Sequence, residues 1–478
     1  MTTAGKTAGT CPIAKPRRIL FRPFRALLAL WRHRDNLIEA ACAAGETVDG
    51  VTALRTLRGA AFLFREPAAV REILVQHRLS FRRGVASHWL RGIVGESILA
   101  AEDVERSVHA PLIKPAFTRQ STDARTPAII ETVEQRLGGW RVGQRLDVAK
   151  EMHELTLEVV VHALFGRRIH ATELPKITRA LNLLNKDFGT IYLRNMPGYT
   201  LISRLPWTRN RRFDAALGGL DEVIYEWIDD RVGTANADAP SDLLDRLARE
   251  HREAPDAVPR RQIRDQMVGL MVAGHETTGA ALTWLWHLLG AHPEVEARVH
   301  AEIDQVFRGG RLEPEQLRQL PYVTAVFNET LRLYPPAYSL GRMSAENCEI
   351  DGNFVPAGSS VSLCPVLTQR DSRFFSEPLQ FDPERWMRGD VRLGHDPVFF
   401  PFGFGPRSCL GESLARREVA IIVSLIAQRW RLRPTSGEPL RERTSVTLTP
   451  TEAPPMILET RAELSDRNGV AHRPLLSQ

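Results

Sequence analysis

The sequence has few cysteines, and their spacing excludes two classes of protein. Its 478 residues include five cysteines, none of which forms the C-x-x-C pair of a zinc ribbon. An odd number, with no recognisable secretory leader, also argues against a disulfide scaffold. We therefore expect a protein of a reducing compartment. The five are Cys11, Cys42, Cys348, Cys364 and Cys409.

Long hydrophobic runs are absent as well. The apolar stretch nearest the N-terminus covers only six residues, 26–31, between Arg25 and Arg32. A transmembrane helix needs about 20 apolar residues, so we predict no transmembrane span and a cytoplasmic protein. An amphipathic N-terminal helix that rests on a membrane remains an alternative.

Lysine is scarce, and the basic residues are almost all arginine. Lysine occupies six of the 63 basic positions, and the formal net charge is +6. The arginines are scattered, which is typical of solvated faces and ion pairs, so we predict no nucleic-acid partner. A local basic patch for an acidic protein remains open. Hydrophobic residues at 43% and charged residues at 25% are typical of a globular protein.

The periodicity predicts a mainly α protein with a small β portion. Helical patterns cover 123–137, Val148–Phe165, 214–232 and 241–249, and a long apolar segment over 263–292 stops at Pro293. That last helix would be about 45 Å long and would cross a whole domain. Short strands are predicted within 342–366 and 444–461.

The segment 402–411, FGFGPRSCLG, is glycine-rich and precedes a predicted helix over 411–430. Cys409 would therefore lie at a helix N-terminus, where backbone N–H groups and the helix dipole favour a thiolate. The glycines allow a large planar group to approach the backbone. Without further signals, a single cysteine in such a loop is more often a small buried hydrophobe.

The same segment resembles the haem-binding loop of the cytochrome P450 family, F-x-x-G-x-R-x-C-x-G. This resemblance implies a single-domain triangular fold over 16–461, with haem b between a long central helix and the cysteine loop. Residues 1–15 would be a disordered N-terminus and 462–478 a tail. Cys409 would be the axial iron ligand, Phe402 would pack against the ligand side, and Arg407 would pair with a propionate. The fixed positions are Phe402, Gly405, Arg407, Cys409 and Gly411.

Three arginine and glutamate positions extend the resemblance. Glu329 and Arg332 share a helix face at i, i+3 spacing and are followed by Pro335 and Pro336. Arg385 lies in FDPERW. Together they resemble the family's buried triad, which holds the cysteine loop in place; an exposed ion pair is the plain alternative.

The long helix carries AGHETT at residues 273–278. A zinc-protease reading fails because Gly279 stands where H-E-x-x-H needs its second histidine. Glycine and threonine are weak helix formers, so we expect a local bulge or kink. The run resembles the family's oxygen-activation motif: Gly274 would leave room over the haem, Thr277 would hydrogen-bond bound O2, and Glu276 would relay protons.

Further haem contacts are implied around two other segments. Arg342, six residues after the paired prolines, would contact a propionate. The segment RSVHAPLIKPAF resembles the family's propionate-contacting helix, but the usual contact residues are not at their usual positions. The residue that contacts the propionate here would be Arg106, His109 or both.

The regions that form the substrate walls in this family are apolar here, which favours a lipophilic substrate. We expect a terpenoid, with a steroid-like or fatty acyl molecule as alternatives. Any of these residues is equally compatible with packed core. They are Val85, Trp89, Val94, Leu99, Phe188, Tyr192, Ala273, Ala337, Tyr338, Leu340 and Pro454.

The resemblance implies a soluble bacterial haem-thiolate monooxygenase that uses O2. No fused flavin domain is expected, so electrons from NAD(P)H would arrive through a ferredoxin or flavodoxin with its reductase. A basic face including Arg416 and Arg417 would receive that partner. The alternatives are a peroxide-driven peroxygenase and a non-catalytic haem-binding or sensor protein, and the adjacent Glu276 and Thr277 argue against both.

Overall fold

A computed structural model describes residues 23–33, 35–48, 50–56, 59–187, 208–234, 242–391 and 397–461. Helices dominate these residues, as the sequence predicted. The α-helices are α1 (Pro23–Arg32), α2 (Leu37–Ala44), α3 (Pro67–Arg71), α4 (Val85–Val94), α5 (Asp103–Ile113), α6 (Arg119–Ala124), α7 (Thr126–Leu137), α8 (Val148–Phe165), α9 (Leu174–Asp187), α10 (Thr208–Thr234), α11 (Leu243–Glu253), α12 (Arg260–Ala291), α13 (Pro293–Phe307), α14 (Pro321–Leu333), α15 (Pro365–Thr368), α16 (Glu384–Met387) and α17 (Glu412–Arg429).

The strands are short and lie mainly in one mixed sheet. Its order is β1-β2-β3-β9-β6-β4, in which only the β3–β9 pair is parallel among the described strands. A three-stranded sheet has the order β10-β13-β5, and β7-β8 and β11-β12 form two hairpins. The strands are β1 (Glu46–Val48), β2 (Val51–Thr56), β3 (Gly59–Phe64), β4 (Phe81–Arg83), β5 (Arg145–Leu146), β6 (Leu340–Ser344), β7 (Cys348–Ile350), β8 (Asn353–Val355), β9 (Ser360–Leu363), β10 (Trp430–Pro434), β11 (Glu442–Thr444), β12 (Leu448–Pro450) and β13 (Met456–Thr460).

The long predicted helix is α12, which follows Pro259 and ends before Pro293. Its 32 residues give a length of about 48 Å. Most of its side chains are buried, so the helix is enclosed by protein on all its faces and not on one apolar stripe. None of the helices in the described part of the chain is both long enough and apolar enough to cross a membrane.

The helix predicted over 123–137 is divided in the structure. Helix α6 starts after Thr118, whose hydroxyl accepts the N–H of Ser121, and ends before Arg125. Pro127 then lies in the first turn of α7. Proline has no N–H to donate and fits a helix start rather than its interior, which explains the division.

Candidate haem-thiolate site

The loop before α17 holds Cys409 in a fixed position. Residues Gly405–Arg407 form a 3-10 turn, and the Cys409 N–H donates to the Phe402 carbonyl at 2.8 Å. Gly405 has a φ of +75°, and a Cβ there would lie 2.8 Å from Cγ2 of Val75. The glycine is therefore required both by backbone conformation and by the approach of the neighbouring segment.

The Cys409 thiol lies at the start of α17 and is accessible, although protein atoms surround it. That combination is typical of a group on the wall of an internal cleft. Burial raises the pKa of the Cys409 thiol, while N–H groups of Gly411 and Glu412 lower it. A Cβ at Gly411 would lie 3.8 Å from the sulfur, which is an ordinary van der Waals contact. A metal ion bound here would deprotonate the thiol.

Four arginines, Arg83, Arg106, Arg342 and Arg407, interact electrostatically beside this loop. Burial and mutual repulsion lower the pKa of Arg83 to about 9 and that of Arg342 to about 10. The acidic groups that interact with the four are Glu102 and Asp103; Arg407 Nη2 lies 2.6 Å from Asp103 Oδ1. In the described part of the chain, this cluster thus has two positive charges in excess, which fits the two propionates of haem.

The two candidate anchors on α5 have different surroundings. Arg106 interacts with Arg407 and Cys409, which places it in the arginine cluster. His109 is buried, and its Nδ1 lies 2.8 Å from Nε2 of Gln262 on α12. Of the two residues, Arg106 therefore faces the cysteine loop, whereas His109 joins α5 to α12.

Glu276 and Thr277 lie next to each other on α12, with a hydrogen-bond network around the acid. Glu276 Oε1 accepts the hydroxyl of Thr447 at 2.9 Å, and Oε2 lies 3.6 Å from Nε2 of His153 on α8. Thr277 donates its hydroxyl to the Ala273 carbonyl at 2.7 Å. Burial opposes a charged His153, but Glu276 outweighs it and raises the pKa of His153. The acid is buried while the His153 side chain is 20% exposed, so His153 is the more accessible of the two.

Gly274 lies where α12 packs on α8. A Cβ at Gly274 would lie 2.5 Å from Cγ2 of Val160, so the glycine lets the two helices pack closely, and its role over the haem stays a prediction. The α-helix runs without interruption through this turn. Thr156 of α8 donates to the His275 carbonyl at 3.0 Å, which accommodates the threonine- and glycine-rich turn.

The predicted triad residues lie together and are buried. Glu329 accepts two bonds from Arg332, at 2.9 and 2.8 Å, and one from Arg385 at 3.0 Å. Arg332 also donates to the Gln369 carbonyl at 2.8 Å, and Gln369 Oε1 accepts the N–H of Phe400 at 3.0 Å. A continuous path of hydrogen bonds thus leads from α14 to the segment that enters the cysteine loop.

The predicted substrate-side residues fall into three groups. Val85 and Trp89 on α4, with Leu99 beyond it, belong to a segment fixed on the first half of α12, where Arg264 donates to the Ile93 carbonyl at 2.7 Å. Ala273, Ala337 and Leu340 are half-buried, and Val94 is fully buried. Phe188 and Tyr192 lie outside the described residues.

Tyr338 lies in packed core, whereas Pro454 is half-buried and stays a prediction. Tyr338 is buried in a cluster with Ile38 and Leu448 and donates its hydroxyl to the Ser445 carbonyl at 2.9 Å, so it is core. The turn that reaches Glu276 carries Thr447, whose hydroxyl donates to the carboxylate at 2.9 Å.

Arg416 and Arg417, the residues predicted to receive an acidic partner, are paired with acidic residues of the chain. Arg416 pairs with Glu412 at 2.9 Å and stacks over the Phe402 ring, 5.0 Å from its centroid. Arg417 pairs with Asp123. Their charges are neutralised within the chain, so an acidic partner would need other cations.

The sequence reasoning missed Arg83 and His153. Arg83 lies opposite Arg342 in the β4–β6 strand pair. The sequence of short strands does not show which strands pair. His153 had only one available signal, its place on the predicted helix Val148–Phe165. Neither residue is near its partners in the sequence.

The fold and the site define a haem-thiolate protein: a cysteine at a helix start, an arginine cluster and an acid–alcohol pair on a long helix. Comparison with known proteins agrees, since the family model for Cytochrome P450 matches residues 21–457. The chain belongs to the cytochrome P450 family.

Relatives and solved structures extend this result. The chain is 34% identical to cyclooctat-9-en-7-ol 5-monooxygenase of Streptomyces melanosporofaciens, with 91% of each chain covered. It is 26% identical to pentalenene oxygenase of Streptomyces avermitilis, over 89% of this chain and 91% of the other. The crystal structure of the cytochrome P450DA heme domain superposes with a TM-score of 0.81 over 94% of this chain and 98% of the other, at 22% identity. The protein is thus a P450 monooxygenase that uses haem and O2.

Proposed function

We propose that the enzyme inserts one oxygen atom of O2 into a C–H bond of a lipophilic, terpenoid-type molecule. The substrate R–H, O2, two electrons and two protons become R–OH and water. The names of two relatives give a cyclic alkenol and an alkene as their substrates. The half-buried apolar side chains of Leu99, Ala273 and Ala337 suit a molecule of that class.

Cys409 would hold the haem iron, and the cluster of Arg83, Arg106, Arg342 and Arg407 would hold the propionates. When bound, haem supplies the binding and reduction of O2. The N–H groups of Gly411 and Glu412 stabilise the thiolate by hydrogen bonds. The triad of Glu329, Arg332 and Arg385 keeps this loop in place through hydrogen bonds that reach Phe400.

The residues on α12 explain the supply of protons best. The proposal rests on one observation, that Glu276 and Thr277 are adjacent on this helix. Glu276 is buried, so it exchanges protons with solvent through a neighbour. His153 is that neighbour, since it is partly exposed and lies 3.6 Å from the carboxylate. Glu276 then passes a proton toward the hydroxyl of Thr277, the next residue on α12.

Electrons would come from NAD(P)H through a ferredoxin or flavodoxin with its reductase. P450 enzymes in general take electrons from such redox proteins or domains. Because Arg416 and Arg417 are paired internally, we assign no docking role to them.

The proposal is tested by replacing Thr277 with alanine. Cyclooctat-9-en-7-ol and pentalenene serve as probe substrates, with product, NAD(P)H consumption and hydrogen peroxide measured together. We expect product formation to fall about 100-fold, as for loss of a positioned acid–base group, while consumed electrons appear as peroxide. Thr283→Ala is the matched control, because Thr283 makes the same bond to a carbonyl four residues earlier, at 2.8 Å, without an adjacent acid. Thr277→Ala enzyme that couples electrons to product like the parent would refute the role of Thr277.

The ligand assignment has a separate test. Reduced protein with carbon monoxide should show the thiolate-type spectrum, and Cys409→Ala should lose it. If that variant keeps the spectrum, another residue binds the iron.

A further inference from the structure

Two residues from distant parts of the chain contact the carboxylate of Glu276, one at each oxygen. The Thr447 hydroxyl donates to Oε1 at 2.9 Å, and Nε2 of His153 lies 3.6 Å from Oε2. Thr447 is 2% exposed and Glu276 is 5% exposed, so little water reaches this hydrogen bond. A buried residue thus holds one oxygen of the acid, while the more accessible His153 lies at the other.

Thr447 lies in the turn between β11 and β12, and hydrogen bonds fix the backbone of this turn. The N–H and the hydroxyl of Ser445 donate to the Thr447 carbonyl at 3.0 and 3.3 Å. The next residue, Leu448, donates its N–H to the Pro336 carbonyl at 3.1 Å, and its own carbonyl accepts the indole N–H of Trp284 at 2.9 Å. Trp284 belongs to α12, the helix that carries the acid. The turn is therefore fixed relative to that helix.

The hydroxyl of Thr447 is not needed to hold the hairpin, since backbone hydrogen bonds do so. Two residues further on, Thr449 has a buried hydroxyl that makes no hydrogen bond within the part of the chain that the structure describes. The side chain of Glu276, by contrast, has three torsions, so its carboxylate could take several orientations if nothing held it. Proton transfer requires a donor and an acceptor within hydrogen-bond reach, which only some of these orientations provide.

We propose that Thr447 is a positioning residue for proton delivery, whose hydroxyl keeps the Glu276 carboxylate in the orientation that His153 can reach. The inference rests on the proposed function, in which Glu276 relays protons toward Thr277. Thr447 exchanges no proton in this scheme and acts only through the acid. It lies 171 residues from Glu276 in the sequence, so no motif on α12 indicates it.

Replacement of the Thr447 hydroxyl tests this role. Thr447→Val removes the hydroxyl and keeps the branched shape of the side chain, and Thr447→Ser restores the hydroxyl. Thr449→Val is the matched control, because it makes the same change in the same hairpin. Haem content and the unfolding midpoint of each variant are measured first. With the two probe substrates, product formation by Thr447→Val should fall about tenfold, the value of one hydrogen bond to a charged group, and the consumed electrons should appear as hydrogen peroxide. The serine variant and the matched control should resemble the parent.

A second measurement does not depend on catalysis. Glu276 raises the pKa of His153, so a carboxylate that has moved away should leave His153 with a lower pKa. NMR titration of the reduced, carbon monoxide-bound holoprotein with isotope-labelled histidines measures this pKa, and His153→Gln identifies the signal. Asp147 and His275, two other ionisable groups near His153, are unchanged in these variants. The pKa should be lower in the valine variant at position 447 and equal to that of the parent in the other two variants.

Glu276→Gln separates this inference from the proposed function. If Thr447 acts through the acid, the double variant Glu276→Gln/Thr447→Val should form product no more slowly than Glu276→Gln alone. A further loss in the double variant, or an unchanged or higher pKa of His153 in Thr447→Val, would overturn the inference. So would Thr447→Val enzyme that couples electrons to product like the parent while Glu276→Gln does not. If Glu276→Gln itself couples like the parent, the proton relay of the proposed function fails, and the role of Thr447 fails with it.

Discussion

Removing the carboxylate of Glu329 should expose how much stability the buried triad holds. Glu329 is fully buried and accepts hydrogen bonds from Arg332, Arg385 and Trp386, and from the N–H of Asp382. In Glu329→Ala, two buried guanidinium groups would remain without their carboxylate. Breaking a buried ion pair in this way costs roughly 3–5 kcal/mol. A typical folded protein has a total stability of about 5–15 kcal/mol, so the variant should lose a fifth or more of it.

The damage should also reach the haem loop. Arg332 holds the carbonyls of Gln369, Pro378 and Gln380 at 2.8, 2.7 and 3.0 Å. Gln369 in turn accepts the N–H of Phe400, shortly before the cysteine loop. A disordered Arg332 would loosen this path, so we expect Glu329→Ala to be purified with little or no haem.

Two measurements check this prediction: urea unfolding and the ratio of haem to protein. Glu459→Ala is the control, since Glu459 pairs with a half-exposed Arg433 at 2.7 Å and such surface pairs are worth at most about 1 kcal/mol. Normal haem content in Glu329→Ala, with stability within about 1 kcal/mol of the parent, would refute the reasoning.

Two further predictions concern charge at buried sites. Arg83→Gln should weaken haem binding tenfold or more, about the value of one charged hydrogen bond, as measured by haem transfer to apomyoglobin; unchanged transfer would remove Arg83 from the propionate site. His287 is buried, and burial lowers its pKa from 6.5 to about 4. The native state therefore resists the proton that the unfolded chain takes up, so stability should fall by roughly 3 kcal/mol between pH 7 and pH 4 because of this residue. His287→Gln should show a smaller loss of stability in acid, in urea unfolding at both pH values, and an identical pH dependence in parent and variant would contradict this.

The parts of the site that the sequence predicted depend on local spacing. Cys409 and its glycines lie within one ten-residue segment, and Glu329 and Arg332 lie within one helical turn. In each case the chemistry requires a fixed separation along the chain, so the pattern is visible without a structure. The long helix was equally clear, because α12 is bounded by Pro259 and Pro293.

What the sequence could not show is the direction of side chains and the partners supplied by distant segments. Gly274 is predicted to leave room over the haem, and the motif does not show that Val160 on α8 also packs against it. Tyr338 and Pro454 are apolar residues in a suitable region, yet hydrophobicity alone does not distinguish a cavity wall from packed core. For Tyr338 its contacts decide the matter, since its hydroxyl donates to the Ser445 carbonyl beside a buried cluster.

The environment of Glu276 shows why this limit matters for function. The motif identifies an acid beside an alcohol, but the ability of the acid to exchange protons depends on its neighbours. Here the neighbour with access to solvent is His153, which comes from α8, while His275 beside it is buried deeply enough that its pKa is lowered to about 3. Of these two adjacent histidines, only His153 can therefore carry a proton near neutral pH. A relative that keeps the acid and alcohol but replaces His153 would need another entry for protons, so the shared motif does not imply a shared pH dependence.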